Sequence, residues 1–205
     1  MPDLRWVSPD AINSMGRADL AARMHSRHIV LNPGNGTMRI AILTVSDAGA
    51  RGERQDGSGN AIADWANQRG DSVTARALVA DDVAAIVAQL LDWCDGDAAD
   101  LVLTTGGTGL APRDLTPEAT RVVLEREARG IAERIRVLSV DRFPRAALSR
   151  GLAGVRARTL IINLPGSTSG VRDGLAAIEP IIEHAVRITR GVDTSHGESG
   201  AVKEP

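Results

Sequence analysis

Residues 101–114 read LVLTTGGTGLAPRD. Leu101 to Thr105 are apolar, then β-branched, the pattern of a strand covered on both faces of a parallel sheet. The run breaks into Gly106, Gly107 and Gly109, whose bare backbone lets N–H groups close on an anion, with Thr105 and Thr108 adding hydroxyls. A sharp strand-to-helix turn is the competing use of the same glycines. The spacing fits neither G-x-G-x-x-G nor the Walker loop, which sets a lysine on its phosphates. Arg113 and Asp114 stand just past the loop instead.

Downstream, LTPEATRVVLEREA predicts a helix with Thr116 as N-cap, Pro117 at the first helical position and Glu118 in the first turn. Upstream, MRIAILTVSD is another continuous apolar run ending in polar residues. After the polar loop ARGERQDGSG, NAIADWANQRG has helical spacing and Gly70 as its stop. SVTARALVA alternates like a strand. Asp81 and Asp82 follow, either able to cap the next helix, in which Val83, Ile86, Val87, Leu90 and Leu91 make one apolar stripe. GIAERIRVLSVDRF predicts a further helix and VRARTLIINLPG one further strand. SGVRDGLAAIEPIIEHAVRITRG predicts a long closing helix that Pro180 kinks or interrupts.

Strands alternating with helices imply an α/β domain with a mainly parallel sheet. We place it at residues 38–190, between an extension and linker (1–37) and a polar tail (191–205). Within the extension INSMGRADLAARMHSRH predicts a short helix and LNPGNGT a cluster of turns. Parallel sheets bind ligands beyond the carboxyl ends of their strands, where the distinctive residues fall: Ser46 and Asp47, Asp81, the glycine loop, and NLPGS. Asp81 and Asp114 converging on a phosphate loop suggest a Mg²⁺ site, since Mg²⁺ takes one or two carboxylates plus substrate phosphates; helix caps are the alternative. Arg113 offers the cationic contact a lysine gives elsewhere, or an ordinary surface ion pair. Ser167, Thr168 and Ser169 at a helix start offer an anion site or simple capping.

The composition removes several mechanisms. Of 24 basic residues 23 are arginine, and Lys203 is the only lysine, so neither a Walker lysine nor a Schiff base operates in the body of the chain. Cys94 is the single cysteine, which excludes an internal disulfide or a cysteine metal cluster and predicts a small buried residue. A net charge of −2, with three Trp, one Phe and no Tyr, gives no basis for nucleic-acid binding. No apolar run is long enough to span a membrane; with no signal peptide pattern at the start, the cytoplasm is the expected location. His25 and His28 sit three apart without a third ligand nearby, and the G-x-S-x-G pentad of a serine nucleophile is lacking.

LTTGGTGLAPRDLTPEAT, LSRG at 148–151 and TLIINLPGS at 159–167 closely resemble the MogA type of molybdenum-cofactor biosynthesis protein, the gephyrin G domain and the related MoaB proteins. ILTVSDAGARGERQDGSG resembles the first strand and loop of that family, and the likeness runs from about Met38 to about Arg190. It implies a three-layer α/β/α sandwich, usually a homotrimer. The implied reaction is Mg²⁺-dependent transfer of AMP from ATP to the terminal phosphate of molybdopterin, with pyrophosphate released and the product passed to the molybdate-inserting enzyme. The two functional aspartates of the family correspond to Asp81 and Asp114, the implied magnesium-handling pair. Ser46, Asp47, Thr105, Gly106, Gly107, Thr108, Gly109, Arg113, Ser149, Asn163, Pro165, Gly166 and Ser167 form the implied substrate pocket. Two departures stand out: Ala80 replaces a frequent proline, and STSG replaces a frequent Pro-Lys segment after LPG, leaving Arg172 as the candidate basic contact. MoaB-like relatives inactive in adenylylation share the fold, so a non-catalytic molybdopterin-binding or scaffold protein is the alternative; possession of both aspartates favours the enzyme.

Overall fold

A computed structural model describes residues 37–192. The predicted short helix of the extension, the histidines His25 and His28, and most of the tail lie outside the described residues. Inside them, strand β1 (Arg39–Val45) shows how a continuous apolar run is used. Successive side chains of a strand point to opposite faces. Ile40 and Ile42 therefore enter one core while Ala41, Leu43 and Val45 enter another. Strand β3 (Leu101–Thr105) divides in the same way, with Leu101 and Leu103 on the first side and Val102 on the second.

Helices cover both faces. The first core is closed by α2 (Gly57–Arg69), α5 (Arg129–Val140) and α6 (Thr168–Thr189), through residues such as Ile62, Ile135, Leu175 and Ile178. The second is closed by α3 (Val83–Asp95) and α4 (Thr116–Val123), through Ile86, Leu90, Trp93 and Val123. The result is the expected three-layer α/β/α sandwich. With β2 (Ser72–Val79), β4 (Arg126–Glu127), β5 (Ala153–Arg156) and β6 (Thr159–Leu164), the sheet has the order β2-β1-β3-β6-β5-β4. Strands β2, β1, β3 and β6 are parallel, and β5 and β4 are antiparallel to their neighbours. Chain order reverses between β1 and β3, which is where open α/β sheets form a ligand crevice.

Several expectations are corrected. VRARTLIINLPG is not one strand but the hairpin β5–β6, turned at Ala157 with φ 50°. No Asn-Gly or Asp-Gly pair marks that turn, so its usual signal is absent. Helix α4 stops at Val123 rather than running through LEREA, and Arg126–Glu127 pair with β5 as an edge strand. Thr116 is the first helical residue rather than the cap; Leu115 occupies the cap without a side-chain bond. The polar loop after β1 is shorter than it reads, because α1 (Asp47–Ala50) starts at once and α2 begins at Gly57. Pro180 does not interrupt α6, whereas Gly70 ends α2 as expected. No helix among the described residues is long and apolar enough to cross a membrane.

Cys94 is buried in the second core, and burial pushes its thiol up to about 12, so it is inert packing. Asn163 also proves structural. It is 3% exposed; its Nδ2 donates to the Thr104 and Thr120 hydroxyls, both at 2.9 Å, and its Oδ1 accepts from the Leu152 N–H at 3.0 Å. One side chain thus ties β3, α4 and the start of β5 to β6. Replacing it by alanine strands these partners away from water, and the expected loss is about 2–4 kcal/mol in urea unfolding.

Candidate active site

The glycine loop leaves β3 at the point where β1 also ends. Gly106 has φ 103° and Gly107 φ 59°, both in the left-handed half of backbone space that disfavours side chains. A Cβ on Gly106 would collide with the Val45 carbonyl oxygen, and one on Gly107 with Asp81 Oδ1 and Thr116 Oγ1. The loop is then fixed from both sides. The Thr116 hydroxyl donates to the Gly106 carbonyl at 2.9 Å, and the Thr116 N–H to the Gly107 carbonyl at 3.1 Å. Thr105 donates to the Pro165 carbonyl at 2.7 Å, joining the loop to the NLPGS turn. This hydroxyl is therefore committed to the scaffold, unlike the free donor expected from the sequence. Thr108 is buried, and its carbonyl accepts from the Arg150 N–H at 2.9 Å.

Of the two adjacent aspartates, Asp82 is the helix cap: its Oδ1 accepts from the Ala85 N–H at 2.8 Å. Asp81 is thereby left to face the loop. Its N–H donates to Asp47 Oδ1 at 3.2 Å, while its own Oδ1 is buried without a hydrogen-bond partner. Asp47 pairs with Arg113 at 2.5 Å; Arg113 itself is 70% exposed. Asp114 folds back on its turn, its Oδ2 accepting from the Ala111 N–H at 2.9 Å. Burial raises the Asp81 carboxyl above its ordinary value, and the negative charges of Asp47 and Asp114 raise it further. The Leu115 N–H and Arg113 offset this only in part. Three carboxylates therefore meet at the loop: the pair Asp81 and Asp114 read as magnesium-handling, and Asp47, read as part of the substrate pocket.

Two hollows open on either side of it. One, of about 500 Å³, is lined by Ser46, Asp47, Arg54, Asp81, Gly106 and Gly107 among others. The second, of about 510 Å³, runs from Gly109 and Asp114 to Arg136, Arg142, Arg145 and Ser149. Gly107, Gly166 and Ser167 line both, so the glycine loop and the NLPGS turn form the partition. Ser46 and Ser167 also cap α1 and α6, each accepting an N–H at 3.1 Å, from Gly49 and Gly170. Ser149 accepts from the Gly151 N–H at 3.3 Å, and Pro165 lines the second hollow. Asn163 lies beneath the rim in neither hollow, and Arg172 lines neither. The basic lining comes instead from Arg136, Arg142 and Arg145, which sequence reading passed over. Their only signal was the density of arginine in ERIRVLSVDRFPRAALSRG, spread over a helix and a turn whose return to the rim no local pattern encodes.

Residues 41–184 match the MoCF_biosynth family, described as "Probable molybdopterin binding domain". The chain belongs to this family. A molybdopterin adenylyltransferase of Helicobacter pylori (strain J99) is 40% identical over 157 residues, 76% of this chain and 89% of that protein. Molybdenum cofactor biosynthesis protein B of Escherichia coli K12 is 44% identical over 135 residues, 65% of this chain and 78% of that one. Among solved structures, the molybdopterin biosynthesis enzyme MoaB of Thermus thermophilus is 51% identical, with a TM-score of 0.72, covering 76% of this chain and 98% of that one. The resemblance read from the glycine loop and its flanks is thus confirmed at the level of the family and its fold.

The half-buried Asp81 carboxylate carries a measurable cost. Native Asp81 holds a proton more readily than the unfolded chain does, so its effect on stability becomes unfavourable as pH rises from 3.8 through the raised native value. Asp81→Asn is expected to melt above wild type at pH 7, with the gap closing as the pH is lowered below about 4; thermal unfolding across that range measures it.

Proposed function

We propose that the chain is a molybdopterin adenylyltransferase: an oxygen of the terminal phosphate of molybdopterin attacks the α-phosphorus of ATP, the bond to the bridging oxygen breaks, and pyrophosphate leaves. The observation that carries this reading is the partition. Two hollows of similar size meet at one glycine loop, and a desolvated, unpartnered carboxylate oxygen of Asp81 stands beside it. Such an arrangement suits two substrates whose phosphates must meet, and the molybdopterin adenylyltransferases among the relatives support it.

The donor set fits Mg²⁺. Among the described residues no group of three or more His, Cys, Asp or Glu forms a closed metal cage. Asp81 and Asp114 with phosphate oxygens are the open, oxygen-only set that Mg²⁺ takes. When bound, that ion neutralises the charge that builds on the phosphate oxygens during transfer. The chain does the rest. Backbone N–H groups of the loop and the Thr108 hydroxyl hold phosphate oxygens at the partition. The hollow beside Asp47 and Asp81 takes the nucleotide, and the arginine-lined one, which Asp114 lines, takes the anionic pterin; the two carboxylates that would hold the ion thus stand on opposite sides of the partition. Arg113, paired with Asp47 and otherwise exposed, keeps three carboxylates from repelling one another before the substrates arrive. The folded unit we assign to residues 38–190 contains the whole matched segment, and exposed Val137 and Phe143 offer apolar surface to a homotrimer. The adenylylated product then passes to a molybdate-inserting enzyme.

A protein that only bound molybdopterin would need the basic hollow but not an Asp81 with one buried, unpartnered oxygen beside two other carboxylates. Incubation with molybdopterin, ATP and Mg²⁺ is expected to yield adenylylated molybdopterin and pyrophosphate. Asp114→Asn should lower turnover by about 100-fold or more while molybdopterin affinity stays within a few-fold. Pterin binding without any product, under conditions in which a relative turns over, would make the chain a binding protein.

A further inference from the structure

We propose that Arg150 is a positioning residue that sets Asp114, a role that rests on the adenylyltransferase reading above. Every contact that Arg150 makes to the loop side of the site falls on one short stretch, Thr108 to Glu118. Its backbone N–H donates to the Thr108 carbonyl at 2.9 Å. Its Nε donates to the Gly109 carbonyl at 2.6 Å, its Nη2 to the carbonyl of Asp114 itself, and its Nη1 pairs with Glu118 in the first turn of α4. One planar guanidinium thus clamps both ends of the turn that carries Arg113 and Asp114 and ties it to the helix behind.

The turn needs such a clamp. Leu110 to Arg113 are exposed, and the bonds made within the turn are local ones, Ala111 N–H to Asp114 Oδ2 and Asp114 N–H to the Ala111 carbonyl, both at 2.9 Å. Those bonds shape the turn; its placement rests on the Arg150 clamp together with the exposed Arg113–Asp47 ion pair, which solvent screening weakens. The clamp is itself held from behind: Arg136 Nη1 donates to the carbonyls of Ser149 at 3.4 Å and Gly151 at 3.0 Å, on either side of Arg150. Arg136 also lines the basic hollow. Hydrogen bonds from the wall of that hollow therefore hold the backbone on both sides of Arg150, whose own bonds reach the peptide of Asp114. The three acceptors are splayed about a fork; an ammonium group is a point charge that cannot reproduce the planar arrangement.

The test compares wild type, Arg150→Lys and Glu118→Gln, the last loosening the same clamp without changing Arg150. Because small misplacements of a reacting group are costly, Arg150→Lys is expected to lower kcat by about tenfold or more, with KM for molybdopterin within about threefold. In the absence of substrates, amide exchange at Ala111 and Asp114 should quicken by about tenfold in Arg150→Lys, less in Glu118→Gln, and not at all in the sheet. A variant that raises KM with kcat unchanged, or that leaves exchange in the turn at the wild-type rate, overturns the assignment. If wild type forms no product, the enzyme reading fails, and the exchange arm alone decides whether Arg150 holds the turn. If Arg150→Lys does not fold, the same two readouts on Glu118→Gln decide.

Discussion

At Gly106 and Gly107 there is no room for a β-carbon. The loop passes between the carbonyl end of β1, the Asp81 carboxylate and the Thr116 hydroxyl, and each of these occupies the space a side chain would take. From this one constraint the site follows. Because the backbone runs so close to Asp81, one oxygen of that carboxylate is screened from water and left without a hydrogen bond. Because Thr116 must hold the loop, helix α4 begins with a bound threonine rather than a capping one. Because Gly166 passes within contact of Gly106, the NLPGS turn joins the partition between the two hollows.

The two rims of the sheet treat the same residue types differently. At the amino-terminal rim Asp100 is buried but saturated, accepting from the Arg39 N–H and from its guanidinium, both at 2.8 Å. At the carboxyl rim Asp81 has an empty buried oxygen and two acidic neighbours. The first arrangement uses charge to hold the fold. The second leaves charge only partly compensated, the kind of local violation that concentrates where ligands bind. Arginine serves both ends: in a chain with no lysine among the described residues, its fork closes ion pairs at one rim and clamps loop carbonyls at the other.

Much of this was legible in the sequence because the decisive signals are short and local. A continuous apolar run followed by TTGGTG specifies a buried strand and a rim loop, and two apolar runs with polar ends locate the crevice. The Asp81–Asp82 pair is ambiguous in sequence, since either carboxylate can cap a helix; only the direction of entry into α3 decides that Asp82 caps and Asp81 faces the glycine loop. The β5–β6 hairpin was hidden because Ala157 stands where glycine or asparagine normally advertises the turn. The roles of Asn163 and Arg150 were out of reach for another reason. Both act through partners 11 to 59 residues away in the chain, and hydrogen bonds of that separation leave no periodicity to read.

We propose that the carboxylates around the glycine loop receive a divalent cation carried with a nucleotide. The most direct measurement is anomalous diffraction from crystals grown with Mn²⁺ and a non-hydrolysable ATP analogue. The expected result is one strong manganese peak at the partition, bonded to Asp81 Oδ1 and to phosphate oxygens of the analogue. Nucleotide bound at the partition with no manganese beside Asp81, or manganese held elsewhere on the molecule, would contradict it.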